Sequence, residues 1–416
     1  MRLLPCASSA RPRATAPLYV RTYADPVNRP VRVVPVTPAS VPALVTALAA
    51  ALDGSGPAVL PVDGAEDGTP AGTGPVADDV ALLVRTSGST GSPREVLLTA
   101  AALRASGEAT AARLSGHGRW LLPLPPAHVA GLQVLARSIL AGTEPTVLTG
   151  PFRAESFVAA VAGMAAGAGP RYTSLVPTQL HRLLASPAGT AALAGFDAVL
   201  LGGAATPPAL VARAREAGAR VVTTYGMSET CGGCVYDGVP LDGVSVDVGP
   251  DGRVAIAGPV LAAGYRDRPD LDAELFEVRA GTRWLRTSDL GRWTDDDPPR
   301  LEVLGRADDV LVTGGVKVPP AAVERVLAEL PGVGEVLVVG VPDPEWGQAL
   351  TAVVVAAPGG PAPDLADLRA AAGDRLGGPA APRHLVLVDA LPLRGPGKPD
   401  RSGAAALAAR ALGRTP

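Results

Sequence analysis

The sequence predicts an α/β protein in two parts: a large N-terminal domain of layered α/β sheets with a small β-barrel-like portion, then a small α+β C-terminal domain. Three observations lead there. Apolar strand-like runs alternate with helix-like segments from residue 40 to residue 224, a spacing that gives parallel layers with sites at the strand ends. After Tyr225 the pattern turns to short strands joined by turns, such as Asp251-Gly252 between residues 246–248 and 254–256, which suggests a small antiparallel part. From Asp308 the order becomes strand, helix, strands, helix and strand, so the domains are expected at 1–307 and 308–416.

The elements follow in order. Residues 40–53 read as a helix, with Val41, Leu44, Val45 and Leu48 at helical spacing. Residues 58–62 read as a buried strand, 63–79 as a Gly/Ala/Pro/Asp linker and 80–84 as a second strand. Thr99 can cap a helix reaching Leu114, and residues 120–124 form the next strand. A helix over 129–140 is stopped by Gly142. Strands are then expected at 146–148, 172–176, 198–201 and 220–224, with helices at 155–166, 177–184 and 207–217. Beyond the boundary, helices are expected at 319–330 and 365–376, and the chain closes in a Pro/Gly tail.

Composition sets the class. Hydrophobic residues make up 47% and charged ones 19%, a globular profile, and a net charge of −3 offers no basic field for nucleic acid. Gly, Pro or Arg interrupts each apolar run, so no membrane insertion is expected. Residues 1–17 lack a continuous apolar stretch, which predicts a frayed end and no signal peptide. Cys6, Cys231 and Cys234 fit a reducing cytoplasm better than a disulfide scaffold. Cys231-Gly-Gly-Cys234 lacks nearby histidines for a tetrahedral metal site, so small residues lining a tight loop explain it better. Among 37 basic residues, lysine stands only at Lys317 and Lys398. A compact point charge on a flexible stem is not interchangeable with a planar guanidinium.

The strand at 80–84 runs into Thr86-Ser87-Gly88-Ser89-Thr90-Gly91-Ser92-Pro93-Arg94. Such a loop can turn its backbone N–H groups inward as an anion nest, with hydroxyls adding donors, and its natural guest is a polyphosphate. It is not a Walker A loop, since no Gly-Lys-Ser/Thr follows. A flexible Ser/Gly linker is the other reading of these residues alone. Further on, Leu201-Gly202-Gly203-Ala204-Ala205 ends an apolar strand, where glycine allows a flat ligand to approach or simply turns the chain. Tyr225-Gly226-Met227-Ser228-Glu229 offers a stacking face and a hard oxygen ligand suited to Mg²⁺ held with phosphates.

The loop resembles the phosphate loop of the adenylate-forming superfamily, which includes acyl-CoA synthetases, peptide-synthetase adenylation domains and luciferases. That loop usually ends Pro-Lys-Gly; here Pro93-Arg94-Glu95 keeps the positive charge and replaces a glycine with an acid. The resemblance continues in order through the chain and implies roles. Thr86, Ser87, Gly88, Ser89, Thr90, Gly91 and Arg94 would hold the ATP phosphates. Gly203 and Ala204 would wall the adenine pocket, Tyr225 would stack on adenine within Tyr225-Gly226-Met227, Ser228 would contact the α-phosphate, and Glu229 would bind magnesium. Asp289, in Thr287-Ser288-Asp289, would hold the ribose hydroxyls. Gly305-Arg306-Ala307-Asp308 is similar to the hinge motif, with Arg306 at the nucleotide and Asp308 as pivot. Gly314, Gly315 and Lys317 would line the pantetheine tunnel, and Lys398, in Leu391-Pro392-Leu393-Arg394-Gly395-Pro396-Gly397-Lys398, would bridge the attacking carboxylate and the α-phosphate. His128 would gate the acyl pocket, or it is a helix-start histidine satisfied by backbone.

The implied reaction uses ATP, Mg²⁺ and coenzyme A. A carboxylic acid forms acyl-AMP, and the CoA thiol then displaces AMP. The short N-terminal region, with Pro-Leu-Pro-Pro-Ala-His-Val-Ala-Gly-Leu and Ser-Glu-Thr-Cys-Gly-Gly-Cys, most resembles the o-succinylbenzoate–CoA ligases of menaquinone biosynthesis. The second carboxylate of that acid needs a fixed cation, and Arg137 is the candidate. A ligase for another aryl or fatty acid, a carrier-protein-loading enzyme and a non-catalytic nucleotide-binding relative remain alternatives. A cytoplasmic location is expected, and the oligomeric state stays open, a homodimer among the options.

Overall fold

A computed structural model describes residues 28–63, 74–87, 93–164, 167–357, 359–394 and 398–414. The largest sheet runs Val239–Pro240, Gly232–Tyr236, Val221–Met227, Ala198–Leu201, Arg171–Leu175, Arg119–Leu122, Thr146–Val147. From Val221–Met227 to Thr146–Val147 every neighbouring pair is parallel. Ala198–Leu201 is buried along its whole length, as a parallel strand covered on both faces must be.

A second sheet runs Gly264–Tyr265, Pro93–Thr99, Val80–Ser87, Ala58–Asp63, Val31–Val36. Helices Val41–Asp53, Ala100–Arg113 and Val129–Leu140 contribute Leu44, Leu48, Leu103, Leu132 and Leu135 to one core with Leu82, Leu98 and Trp120 of the two sheets. The far face of the large sheet packs Phe157, Leu180, Leu193 and Val211 from four further helices against Val199 and Leu201.

The alternation holds, with several changes in detail. Thr99 caps its helix as expected, accepting from the Ala102 backbone N–H. Pro93–Thr99, however, is a full strand paired with Val80–Ser87, whereas the sequence shows only the end of the loop at Pro93-Arg94 and the Thr99 cap. Its apolar signal is short, since only Val96 and Leu98 alternate into the core. Val31–Val36 was likewise unread. It carries Pro35 and lies at the sheet edge, where a missing N–H is tolerated. The helix expected over 155–166 is Ala154–Ala162, and Pro187–Ala194 is an additional helix.

The antiparallel part is a five-stranded sheet, Ser245–Val248, Arg253–Ala257, Thr282–Trp293 and Phe276–Arg279, with Leu301–Arg306 also on Thr282–Trp293. Its end strands are linked by an ion pair from Arg279 Nη1 to Asp247 Oδ2 at 2.7 Å. In the last hundred or so residues, strands Val333–Asp343, Gly347–Ala356 and His384–Leu387 form a three-stranded sheet. Helices Pro320–Leu327 and Leu365–Leu376 pack on one face and Arg401–Ala411 on the other, so both cores here are built without any residue before Leu311. The expected Pro/Gly tail thus leads into a helix whose Ala404 and Ala408 are buried.

Candidate active site

Strands Ala198–Leu201 and Val221–Met227 end side by side, and glycine is required where they meet. A Cβ on Gly202 would stand 2.3 Å from Thr224 Oγ1, and one on Gly226 would stand 2.1 Å from the Gly232 carbonyl oxygen. Gly203 adopts a φ of +82°, open to glycine at little cost. Ala204 follows it in the same turn. Beyond Met227 the chain makes a 3₁₀ turn, Ser228–Thr230, held by the Met227 N–H donating to Thr230 Oγ1 at 2.9 Å. Cys231 then takes a left-handed φ of +52°. Both cysteines after this turn are fully buried, and burial pushes the Cys234 thiol up to about 12. They pack as small core residues.

Tyr225 and Asp289 meet across two sheets, with the phenol donating to Oδ2 at 2.7 Å. Asp289 is 9% exposed. Burial raises its carboxyl above the ordinary range, opposed by the Tyr225 bond and the Arg306 charge. The same burial and the Asp289 carboxylate push the Tyr225 phenol far up. Arg306 stands opposite Asp289 in the ladder, its Nη1 3.8 Å from Oδ1. The other side of that guanidinium grips Asp308 through two bonds, Nε to Oδ1 at 2.9 Å and Nη2 to Oδ2 at 2.6 Å. Burial alone would raise the Asp308 carboxyl, but the Arg306 pair outweighs it and holds the group below its ordinary value.

Glu229 lies on the 3₁₀ turn and accepts from the Tyr265 hydroxyl at 2.6 Å through Oε1. Burial and the Glu229 charge together drive that phenol upward, opposed by the nearby charge of Arg94. Arg94 faces Thr86 across the hairpin, and its Nε is buried without a hydrogen-bond partner among the described residues. Gly88, Ser89, Thr90 and Gly91 lie outside the described residues; Ser87 closes the strand Val80–Ser87.

His128 occupies the N-cap position of helix Val129–Leu140, with its Nε2 3.6 Å from Asp63 Oδ2. Arg137 lies about 13 Å farther along the same helix. It is buried, its guanidinium stacks on Trp120 with 5.2 Å to the ring centroid, and its Nη2 donates to the Tyr236 hydroxyl at 3.3 Å. The structure does not bring Arg137 beside His128. Between them stands Gln133, a residue the sequence reading passed over. It is 2% exposed, its amide oxygen and nitrogen have no partner among the described residues, and its Cγ lies against Gly232. Its signal was a polar side chain one turn before Arg137 on an otherwise apolar helix.

In the C-terminal part, Gly314 and Gly315 turn the hairpin between Leu311–Thr313 and Val316–Val318 with φ of +55° and +79°. A Cβ on Gly314 would press to 2.6 Å from the Trp346 ring. Lys317 is exposed on that hairpin. Lys398 sits in a short ladder opposite Arg394, just after Gly397, which lies outside the described residues. Just after Asp308, Arg401 ties Asp309 to Glu324, with Nε to Asp309 Oδ2 at 3.1 Å and Nη1 to Glu324 Oε1 at 2.6 Å.

Residues 28–266 match the family described as AMP-binding enzyme, and residues 322–398 match the AMP-binding enzyme C-terminal domain. A Mycobacterium tuberculosis protein named probable 2-succinylbenzoate–CoA ligase is 49% identical over 331 residues, 79% of this chain and 84% of that protein. Among solved structures, an o-succinylbenzoate CoA synthetase (MenE) from Bacillus subtilis in complex with the acyl-adenylate intermediate OSB-AMP is 26% identical. It superposes with a TM-score of 0.65 over 86% of this chain and 80% of that one. The amide bond synthetase McbA from Marinactinospora thermotolerans is 29% identical, with a TM-score of 0.69 over 90% and 79% of the two chains.

Proposed function

We propose, from the premise that this chain belongs to the AMP-binding enzyme family, that it joins o-succinylbenzoate to CoA through an acyl-AMP intermediate. The enzyme is an acid–thiol ligase whose substrates are a small carboxylic acid, ATP and CoA. The observation that carries the reading is one cluster at the strand ends. Tyr225, Asp289 and Arg306 converge there, and Glu229 stands on the turn that follows Tyr225 in the chain.

The residues divide the work by chemistry. Asp289 accepts from the ribose hydroxyls, Tyr225 offers its ring to adenine beside Gly203, Ala204, Gly226 and Met227, and Ser228 donates to the α-phosphate. Residues 86–91 and Arg94 take the outer phosphates. Glu229 commits one oxygen to Tyr265 and keeps the other for a cation. That suits Mg²⁺, which takes one or two carboxylates and completes its shell with phosphates and water. When bound, Mg²⁺ neutralises phosphate charge. Lys398 adds a cation to the α-phosphate as the acid's carboxylate attacks and pyrophosphate leaves. Orientation and charge stabilisation supply most of the acceleration.

The small domain then turns about Asp308, at the boundary we place between residues 307 and 308, and Gly314, Gly315 and Lys317 line the path by which the CoA thiol reaches the acyl-AMP. His128 gates the acyl pocket. Gln133 and Arg137, buried donors with unmatched atoms below it, receive the second carboxylate of o-succinylbenzoate. We place the enzyme in the cytoplasm, in keeping with its few cysteines. No described helix is long and apolar enough to cross a membrane.

The test is a panel of carboxylic acids in ATP–pyrophosphate exchange, followed by thioester formation with free CoA or a holo-carrier protein. o-Succinylbenzoate with CoA should give the highest kcat/KM. Preference for simple fatty or aryl acids, or for the carrier, would sink the assignment.

A further inference from the structure

We propose that Glu95 is a positioning residue for ATP binding. It ties the strand that leaves residues 88–92 to the strands on either side and so fixes Arg94 for the outer phosphates. The proposal rests on the adenylating activity proposed above.

The geometry is a cross-strand triad. Arg85 stands directly opposite Glu95 in the hairpin, and its Nε lies 3.2 Å from Oε1. On the other side, Gly264–Tyr265 pairs with Val96 and Leu97, which brings Arg266 level with Glu95. Arg266 donates its backbone N–H to the Glu95 carbonyl at 2.9 Å and its Nη1 to Oε2 at 3.2 Å. One carboxylate thus gives one oxygen to each arginine and joins three strands at a single level. The Arg266 side chain is 6% and that of Glu95 13% exposed, while Arg85 keeps 26% of its side chain open to water. Arg266 also donates to the Gly74 carbonyl.

The pleat separates Glu95 from its neighbour. Successive side chains on a strand point to opposite faces, so Arg94 shares its face with Val96 and with Val96's partner Tyr265. Tyr265 holds Glu229. Arg94 is therefore on the side of the candidate nucleotide site and Glu95 on the back of the sheet. Glu95 cannot touch ATP; it acts through the strand. Without it, Arg85 and Arg266 would lose the carboxylate that joins them, buried Arg266 would turn to the exposed Asp267 at 3.7 Å, and the stem would have to loosen or move. With it, Arg94 is held in place before the phosphates arrive, which lowers the ordering cost of binding. The acid that replaces the usual glycine, and the arginine beside it, therefore work as a pair on two faces of one strand.

The test is ATP–pyrophosphate exchange by wild type, Glu95→Gln, Glu95→Gly and Glu95→Asp, beside thioester formation from supplied acyl-AMP. The Gln and Gly variants should raise the KM for ATP about tenfold, the loss of one charge-assisted contact. The KM for the acid and the rate from acyl-AMP should stay within about twofold. Glu95→Asp keeps the charge and should recover part of the ATP affinity. An unchanged KM for ATP, or equal losses in every parameter, overturns the proposal. If the Gln and Gly variants do not fold, Glu95→Asp decides, because the shortened carboxylate must still raise the KM for ATP alone. Exchange absent from wild type with every acid would instead remove the functional reading.

Discussion

The Tyr225 hydroxyl donates to the Asp289 carboxylate at 2.7 Å, joining the end of a parallel strand to the antiparallel sheet. Burial raises the Asp289 carboxyl, so its ionisation opposes folding. That penalty is absent below the ordinary carboxylate value of about 4 and becomes complete above the raised one. Asp289→Asn should therefore melt higher than wild type near neutrality, with the difference fading in acid. The same change should raise the KM for ATP about tenfold or more, as the ribose loses a charged acceptor. Thermal unfolding across pH and exchange kinetics check both halves, and a melting gain that persists in acid would contradict the assigned cause.

Arg94 should act as a cation on the outer phosphates. Arg94→Lys is expected to be mild and Arg94→Ala mainly to weaken ATP binding. The buried Nε without a described partner, and the charge it exerts on Tyr265, motivate this. Wild-type ATP affinity in the alanine variant would remove Arg94 from the site.

Lys398 and Asp308 carry a prediction about two half-reactions. Lys398→Ala should slow acyl-AMP formation about 10²–10³-fold, the usual loss for one aimed donor, and spare thioester formation from supplied acyl-AMP. Asp308→Pro should do the opposite, because a fixed φ hinders rotation between poses. Equal damage to both steps in each variant would show that the domains do not alternate.

Selectivity should reside on helix Val129–Leu140. Gln133→Leu and Arg137→Lys should raise the KM for o-succinylbenzoate while leaving that for 4-phenylbutanoate nearly unchanged. Arg137 also packs on Trp120, so a melting curve must accompany each measurement. A parallel rise for both acids would mark these residues as core packing.

Cys231 and Cys234 should resist thiol reagents in the folded protein. Burial raises both thiols, Cys234 to about 12, so neither ionises near neutrality. In a Cys6→Ser background, a chromogenic disulfide reagent should register no fast reaction until denaturant is added.

Local signals carried much of this architecture. The apolar run before Arg85, the Thr99 cap and the strand–glycine pairs at Gly202 and Gly226 are statements about neighbouring residues, and each could be read in place. What escaped depends on partners distant in the chain. In sequence Glu95 is an isolated acid beside a glycine loop; its partner Arg266 stands 171 residues later. Tyr265 carried no motif, and its meaning came from Glu229. Arg137 is legible as a cation on the helix that follows His128, and helical rise alone sets it well away from His128, yet its stacking on Trp120 depends on a strand whose place beside the helix the spacing does not show. The strand Pro93–Thr99 is hard to read because Arg94 and Glu95 open it and leave only a short apolar pattern, and Glu95 is accounted for only by its tertiary contacts.

Lys317 sits exposed on the hairpin at residues 311–318, and Lys398 lies in the short ladder before the last helix. Since every other basic residue is arginine, reductive methylation with ¹³C-formaldehyde would plant labels on these two side chains and the terminal amine alone. The spectrum would hold a few resolved dimethylamine signals, two of them on the C-terminal part. Titrating ATP, acid and CoA would then move each signal as its surroundings change, so the enzyme's own composition supplies reporters of those changes without a single engineered residue.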